Sequence, residues 1–167
     1  MIPVAKKASP SAIAILKQAT AIWPKRSTAS DGLLPSIAHQ KQNPNSDHNS
    51  GLAADLTHDP AHGVDCVAIF EKLKADTRVK YLIHNHKIWE RARPELGNQA
   101  YNGINPHEKH LHISIEPSSA DDVRPWFHWM NQPSLLGQIM ATLQPQPAKK
   151  INPTTTCGHC SVHCPRP

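Results

Sequence analysis

The clearest pattern in the chain is an alternation near its middle. Leu111, Ile113 and Ile115 are apolar, while His110, His112 and Ser114 between them are polar. A period of two predicts a half-buried strand over Lys109–Glu116, with His110 and His112 on one face, roughly 6.7 Å apart along it. Gly51 to Thr57 reads as a second short strand, with Ala53 and Asp55 on one face and Leu52, Ala54 and Leu56 on the other. Val79–Ile83 reads as a third.

Two segments follow the helical period instead. Ser9-Pro10-Ser11 is a helix start, with a capping serine and a proline in the first turn. Ile13, Leu16, Lys17, Thr20 and Trp23 follow at helical spacing, and Pro24 ends the run. Cys66 to Ala75 sets Val67, Phe70 and Leu73 against Glu71, Lys72 and Lys74, an amphipathic helix that Asp65 can cap. Lys25–Asn45, punctuated by Pro, Gly and Ser, reads as irregular, and Ile88–Asn102 as a polar loop or hairpin. Trp126, Phe127 and Trp129 form an aromatic cluster after Asp121-Asp122, and Leu135–Leu143 reads as a short amphipathic helix. Together these predict an α+β domain over residues 1–143, with a small antiparallel central sheet and flanking helices. From Gln144 the composition shifts to Pro, Lys and Thr, which marks a linker to a tail carrying Cys157, Cys160 and Cys164 with His159 and His163. That tail reads as a zinc site, a set of disulfides or a disordered end.

Composition adjusts this picture in a few respects. The chain has 167 residues, 16 of them proline, and only 5% are aromatic, so the domain is loop-rich with a modest core. The formal net charge of +5 favours an anionic partner such as nucleic acid, a membrane surface or anionic cell-wall polymers. No window carries 18 continuous apolar residues, so no membrane span is expected. The apolar run after Lys6 and Lys7 is broken by Lys17 and Gln18 and reads as a helix rather than a signal peptide, which predicts synthesis in a cytoplasm without a leader. With 12 histidines, histidine count alone is a poor guide to metal sites.

Candidate chemistry therefore rests on spacing. Ser46-Asp47-His48-Asn49-Ser50-Gly51-Leu52-Ala53-Ala54-Asp55 offers a histidine and a carboxylate on either side of a glycine turn. His107-Glu108-Lys109-His110-Leu111-His112 offers a histidine pair one residue apart. A catalytic zinc takes three protein ligands and keeps a fourth position open; His48, Asp55 and one of the paired histidines would meet that need. Ser46 and Asp47 read as turn-shaping or as partners of the ligands, and His39 as a spectator. His58, Asp59 and His62 read as a turn rather than a second metal cluster, and Cys66 as a buried thiol.

The pattern Ser46-x-His48-x-x-Gly51-x-Ala53-x-Asp55 followed by His110-x-His112 resembles the D-Ala-D-Ala carboxypeptidase, lysostaphin and hedgehog group of zinc peptidases. The carboxypeptidase branch and its phage endolysin members are the most similar, over roughly residues 10–130. The resemblance implies zinc held by His48, Asp55 and His112, and a peptidoglycan stem or cross-link peptide as substrate, reached at the bacterial wall after release or delivery. It also implies a base shortly before the last ligand. Relatives often carry Glu or Asp three residues before it, where this chain has Lys109, so the base lies between Glu108 and His110. Glu108 is preferred, with His110 orienting water or stabilising the oxyanion, and Arg26 is expected to hold a substrate oxygen. A monomer is expected. Two other readings differ in class: a zinc-containing wall-binding module without turnover, and a basic nucleic-acid-binding protein, for which the charge is modest and the motif has no role.

Overall fold

A computed structural model describes residues 7–131. Five strands form one open antiparallel sheet: β1 (Ala53–Thr57), β2 (Val79–His84), β3 (Lys87–Glu90), β4 (Gln99–Ala100) and β5 (His110–Ile115), in the order β1-β5-β2-β3-β4. Three α-helices accompany it: α1 (Pro10–Ile22), α2 (Ile37–Gln42) and α3 (Cys66–Leu73). The coarse expectation of an α+β domain with an antiparallel sheet holds. The expected helix at Leu135–Leu143, the linker at Gln144 and the Cys157/Cys160/Cys164 tail lie outside the described residues. Among the described residues no helix is long and apolar enough to cross a membrane.

The sheet has two unlike faces, set by the period of two. Ala54 and Leu56 of β1, Leu82 of β2, and Leu111, Ile113 and Ile115 of β5 join α1, α3, Trp126 and Phe127 in one buried apolar cluster. The alternate residues Asp55, Tyr81, Ile83, His110 and His112 line a cleft instead. Helices α1 and α3 therefore seal one face, while α2 stands at the cleft on the other, lining it with His39 and Gln42.

Local chemistry accounts for the elements. Ser9 Oγ accepts the Ala12 N–H at 3.2 Å and Pro10 opens α1, as expected. The buried stripe of α1, however, is Ala12, Ile15 and Ala19, while Leu16 packs against the core only partly buried, Ile13 is half-buried and Thr20 is exposed. Residues 12–16 are all apolar, so periodicity does not choose between the two faces. The small alanines let the helix lie close to β1, and the sheet selects them. Asp65 caps α3 by accepting the Val67 N–H at 2.9 Å, and Cys66, Ile69, Phe70 and Leu73 are buried while Val67 points outward. β2 and β3 form a hairpin through Asn85 and His86, both at positive φ, as a two-residue type I′ loop requires. Within the stretch read as irregular, Ser36 Oγ accepts the His39 N–H and starts α2. That helix is one turn and a half long, too short to imprint a period.

Candidate metal centre

The centre of the site is a cross-strand rung. β1 and β5 pair so that Asp55 faces His112, with Ala53 opposite Ser114 and Thr57 opposite His110. Directly opposed residues on antiparallel strands project to the same face with Cβ atoms about 5 Å apart. His112 Nδ1 accordingly lies 3.0 Å from Asp55 Oδ1. His48 arrives from a single 3₁₀ turn, Asp47–Ser50, ahead of β1. Gly51 closes that turn at φ 73°, a left-handed conformation that glycine adopts without steric cost. Ser46 Oγ accepts the His48 N–H, so it shapes the turn, while Asp47 pairs with Lys80 Nζ at 2.9 Å and accepts from Ser114 Oγ.

These contacts leave a set of donors suited to a metal. The Nδ1–H of His48 donates to the Leu33 carbonyl at 3.0 Å, which leaves Nε2 free to face Asp55 Oδ2 at 3.1 Å. Nε2 of His48 and Nε2 of His112 are buried without a well-directed hydrogen-bond partner. One donor atom from each of His48, Asp55 and His112 lies within 4.8 Å of the others. Ligand atoms on a tetrahedral zinc with bonds near 2.0–2.1 Å sit about 3.3 Å apart, so the spacing and the His/Asp/His chemistry fit zinc. It is the one such group found among the described residues.

Burial alone would raise the Asp55 carboxyl, but hydrogen bonds from His112 and His48, and their charge, hold it well below the usual carboxylate range. Burial would likewise lower His48, but the bond to Asp55 outweighs it and raises His48. Without metal, His48 and Asp55 thus form an ion pair whose proton a metal would displace.

A cleft of about 510 Å³ opens over this rung. His110 Nε2 reaches to 3.8 Å from Asp55 Oδ1. His39 lines the cleft edge with its ring 5.9 Å from that of His48, and Tyr81 stacks on His112 at 5.4 Å. Tyr101 also lines the cleft.

The structure does not bring every expected residue together. Glu108, preferred as the base from the sequence, does not join the strand: β5 begins at His110, and Glu108 lies on the bend before it. Its side chain is 59% exposed and pairs with His86 Nε2 at 2.9 Å, outside the residues that line the cleft. Arg26 is also absent from the cleft. Its guanidinium is buried and grips both oxygens of Asp31, at 2.9 and 2.6 Å, with further bonds to Thr20 Oγ1 and to the carbonyls of Leu16 and Ser27. That inventory uses its donors, so Arg26 is a structural brace between α1 and the loop carrying Asp31. Asp31 in turn accepts from the N–H and Oγ1 of Thr57 at the end of β1.

Two contributors lay beyond the sequence reading. His107 lines the cleft, its ring edge-on to His110 at 4.9 Å and to His112 at 5.7 Å, with Nδ1 buried and unpartnered. Its φ of 58° is unusual for a residue other than glycine. Asn105 Oδ1 accepts its N–H, and its carbonyl accepts from Asn85 N–H and His84 Nδ1–H. Burial, with the nearby His112 and His110 rings, lowers the imidazole to about 4 and keeps it neutral. Gly32 forms an isolated antiparallel bridge with Asp55, and a Cβ there would lie 2.8 Å from Asp55 Oδ2. No local sequence signal marks either residue, because both roles depend on contacts across strands.

Elsewhere, His62 pairs with Asp59 at 2.8 Å within a turn, which matches the turn reading, and burial pushes the Cys66 thiol up to about 12.

The family described as VldE, C-terminal domain, matches residues 5–112, more than half of the chain. The chain belongs to this family. The match spans His48, Asp55, His107, His110 and His112, so the whole candidate centre falls inside it. No curated protein and no solved structure matches the chain.

Proposed function

We propose that this domain is a zinc-dependent peptidase that hydrolyses stem or cross-link peptides of peptidoglycan. The observation that carries the reading is the convergence of His48, Asp55 and His112 donors, two ring nitrogens among them unpartnered and buried, on the floor of an open cleft. The sequence resemblance supplies the substrate class.

Zinc in this site would supply a Lewis acid and a water activated at neutral pH. The chain's own groups supply the rest. Asp55 and the carbonyl of Leu33 orient the two histidine rings. His110, at the lip of the triad, takes the proton from the attacking water and returns it to the leaving nitrogen. His107, neutral and fixed by its backbone contacts, offers a ring N–H to the carbonyl oxygen of the scissile bond. The base is thereby assigned to His110 rather than Glu108.

The test is mass spectrometry of purified peptidoglycan after incubation with zinc-loaded protein, beside a chelated sample and the His48→Ala variant. Fragments that appear only in the zinc-loaded wild type are expected. An intact wall with one zinc bound per chain would reject the peptidase reading in favour of a zinc-containing wall-binding module.

A further inference from the structure

The cleft runs past the metal centre on both sides. β1 and β5 are antiparallel neighbours, so the segments leading into them stand at opposite ends of the strand pair. The segment before β1 lines the cleft with Gln42, Asn43 and Asn45. The segment before β5 lines it with Tyr101, Ile104 and Asn105, and Ile104 is 86% exposed. The Asp55–His112 rung lies midway in the paired register, between Ala53–Ser114 and Thr57–His110 on the same face of the sheet, and of these flanking residues His110 lines the cleft. Beyond His110 and Asn105, which both hollows share, a second depression of about 480 Å³ continues.

The chemistry of the walls is uncharged. Among the described residues lining the cleft there is no lysine or arginine, and Asp55 is the one carboxylate. Arg26, the residue expected to receive a substrate oxygen, is committed to Asp31. Lys109, in the adjoining depression, shares it with Asp31 and Glu108. A peptide's terminal carboxylate, once partly desolvated, needs a cationic partner or several directed donors. The amide and tyrosine side chains instead match the N–H and C=O groups of an extended backbone.

We infer that the site cuts an amide bond within a peptide whose backbone continues on both sides of the metal, rather than releasing a C-terminal residue. This inference rests on the peptidase reading above. One water is consumed: its hydroxyl bonds to the carbonyl carbon, the C–N bond breaks, and its remaining proton goes to the leaving nitrogen. No oxidant or reductant is involved.

The test offers zinc-loaded wild type three probes: a cross-linked muropeptide dimer, a stem pentapeptide monomer with free terminal carboxylate, and the same monomer amidated at that terminus. Products are located by mass spectrometry and rates compared as kcat/KM. Internal scission is expected, with amidation changing the monomer rate by no more than about threefold, against the roughly 10- to 100-fold loss that removing a charge-assisted contact would cause. The ratio of acid to amide rates is also expected to be unmoved by Lys109→Ala. Release of terminal alanine from the acid form, a tenfold or larger drop on amidation, or a ratio that collapses in Lys109→Ala would overturn the inference and leave the peptidase reading standing. No cleavage of any probe by protein with zinc bound would overturn both.

Discussion

Replacing Arg26 with alanine separates a brace from a substrate-binding residue. The Arg26 side chain is 1% exposed and that of Asp31 is 16% exposed, and their contact is bidentate. Without the guanidinium, Asp31 retains only the two Thr57 donors, and the carbonyls of Leu16 and Ser27 each lose a donor. Removing one partner of a buried ion pair costs about 3–5 kcal/mol. Water can reach part of the Asp31 carboxylate, which places the loss near the lower end, about 3 kcal/mol. For a domain of this size that corresponds to a fall in Tm of roughly 10–15 °C. Burial would raise the Asp31 carboxyl, but bonds from Arg26 and Thr57 outweigh it and hold it below its ordinary 3.8. A depressed carboxylate stabilises the fold above that value and ceases to do so as pH falls. Wild type should therefore lose more stability than Arg26→Ala on acidification below about pH 4. Circular-dichroism melts of both proteins across pH, with peptide kinetics well below the lower Tm, measure this. A variant that melts within 3 °C of wild type yet shows a tenfold higher KM would refute the argument and return Arg26 to the substrate.

Other consequences concern the metal centre. His48 is raised above its ordinary 6.5 by Asp55, so the ion pair stabilises the metal-free fold below that pH and weakens as pH rises through the raised value. Because zinc must displace that proton, zinc affinity measured by chelator competition should tighten as pH rises from 6 to 8, and the His48 part of that slope should vanish in His48→Ala. His107→Asn, which tolerates the left-handed backbone, should keep zinc and Tm but lose roughly 10²–10³ in kcat, while Glu108→Ala should stay near wild type; the reverse outcome in steady-state assays would restore Glu108 as base. Gly32→Ala drives a Cβ to 2.8 Å from Asp55 Oδ2, so zinc affinity should fall about tenfold or more with little change in Tm, and unchanged zinc titrations would refute that contact.

Much of the rung was readable in advance, because a strand converts sequence spacing into geometry. Alternation around Asp55 and His112 placed both on the polar face of their strands, and Gly51 announced the turn that presents His48. Helix starts at Ser9-Pro10 and Asp65 were equally legible, since capping acts within three residues. The face of α1 was not, because residues 12–16 are uniformly apolar and only the sheet breaks the tie.

What the sequence determined by itself is the candidate donors, His48, Asp55 and one of the pair His110 and His112, and the local turns that carry them. Residue type and short-range backbone preference suffice for that. Tertiary structure alone decided which groups surround the donors. The register of β1 on β5 aligned Asp55 with His112, the late start of β5 sent Glu108 to solvent, and the loop bonded to Asn85 and His84 turned His107 inward. Arg26 belongs to the same class: a cation in a polar loop reads as free until the fold sets Asp31 against it. Such roles depend on contacts between segments far apart in the chain, and spacing along the chain carries no record of them.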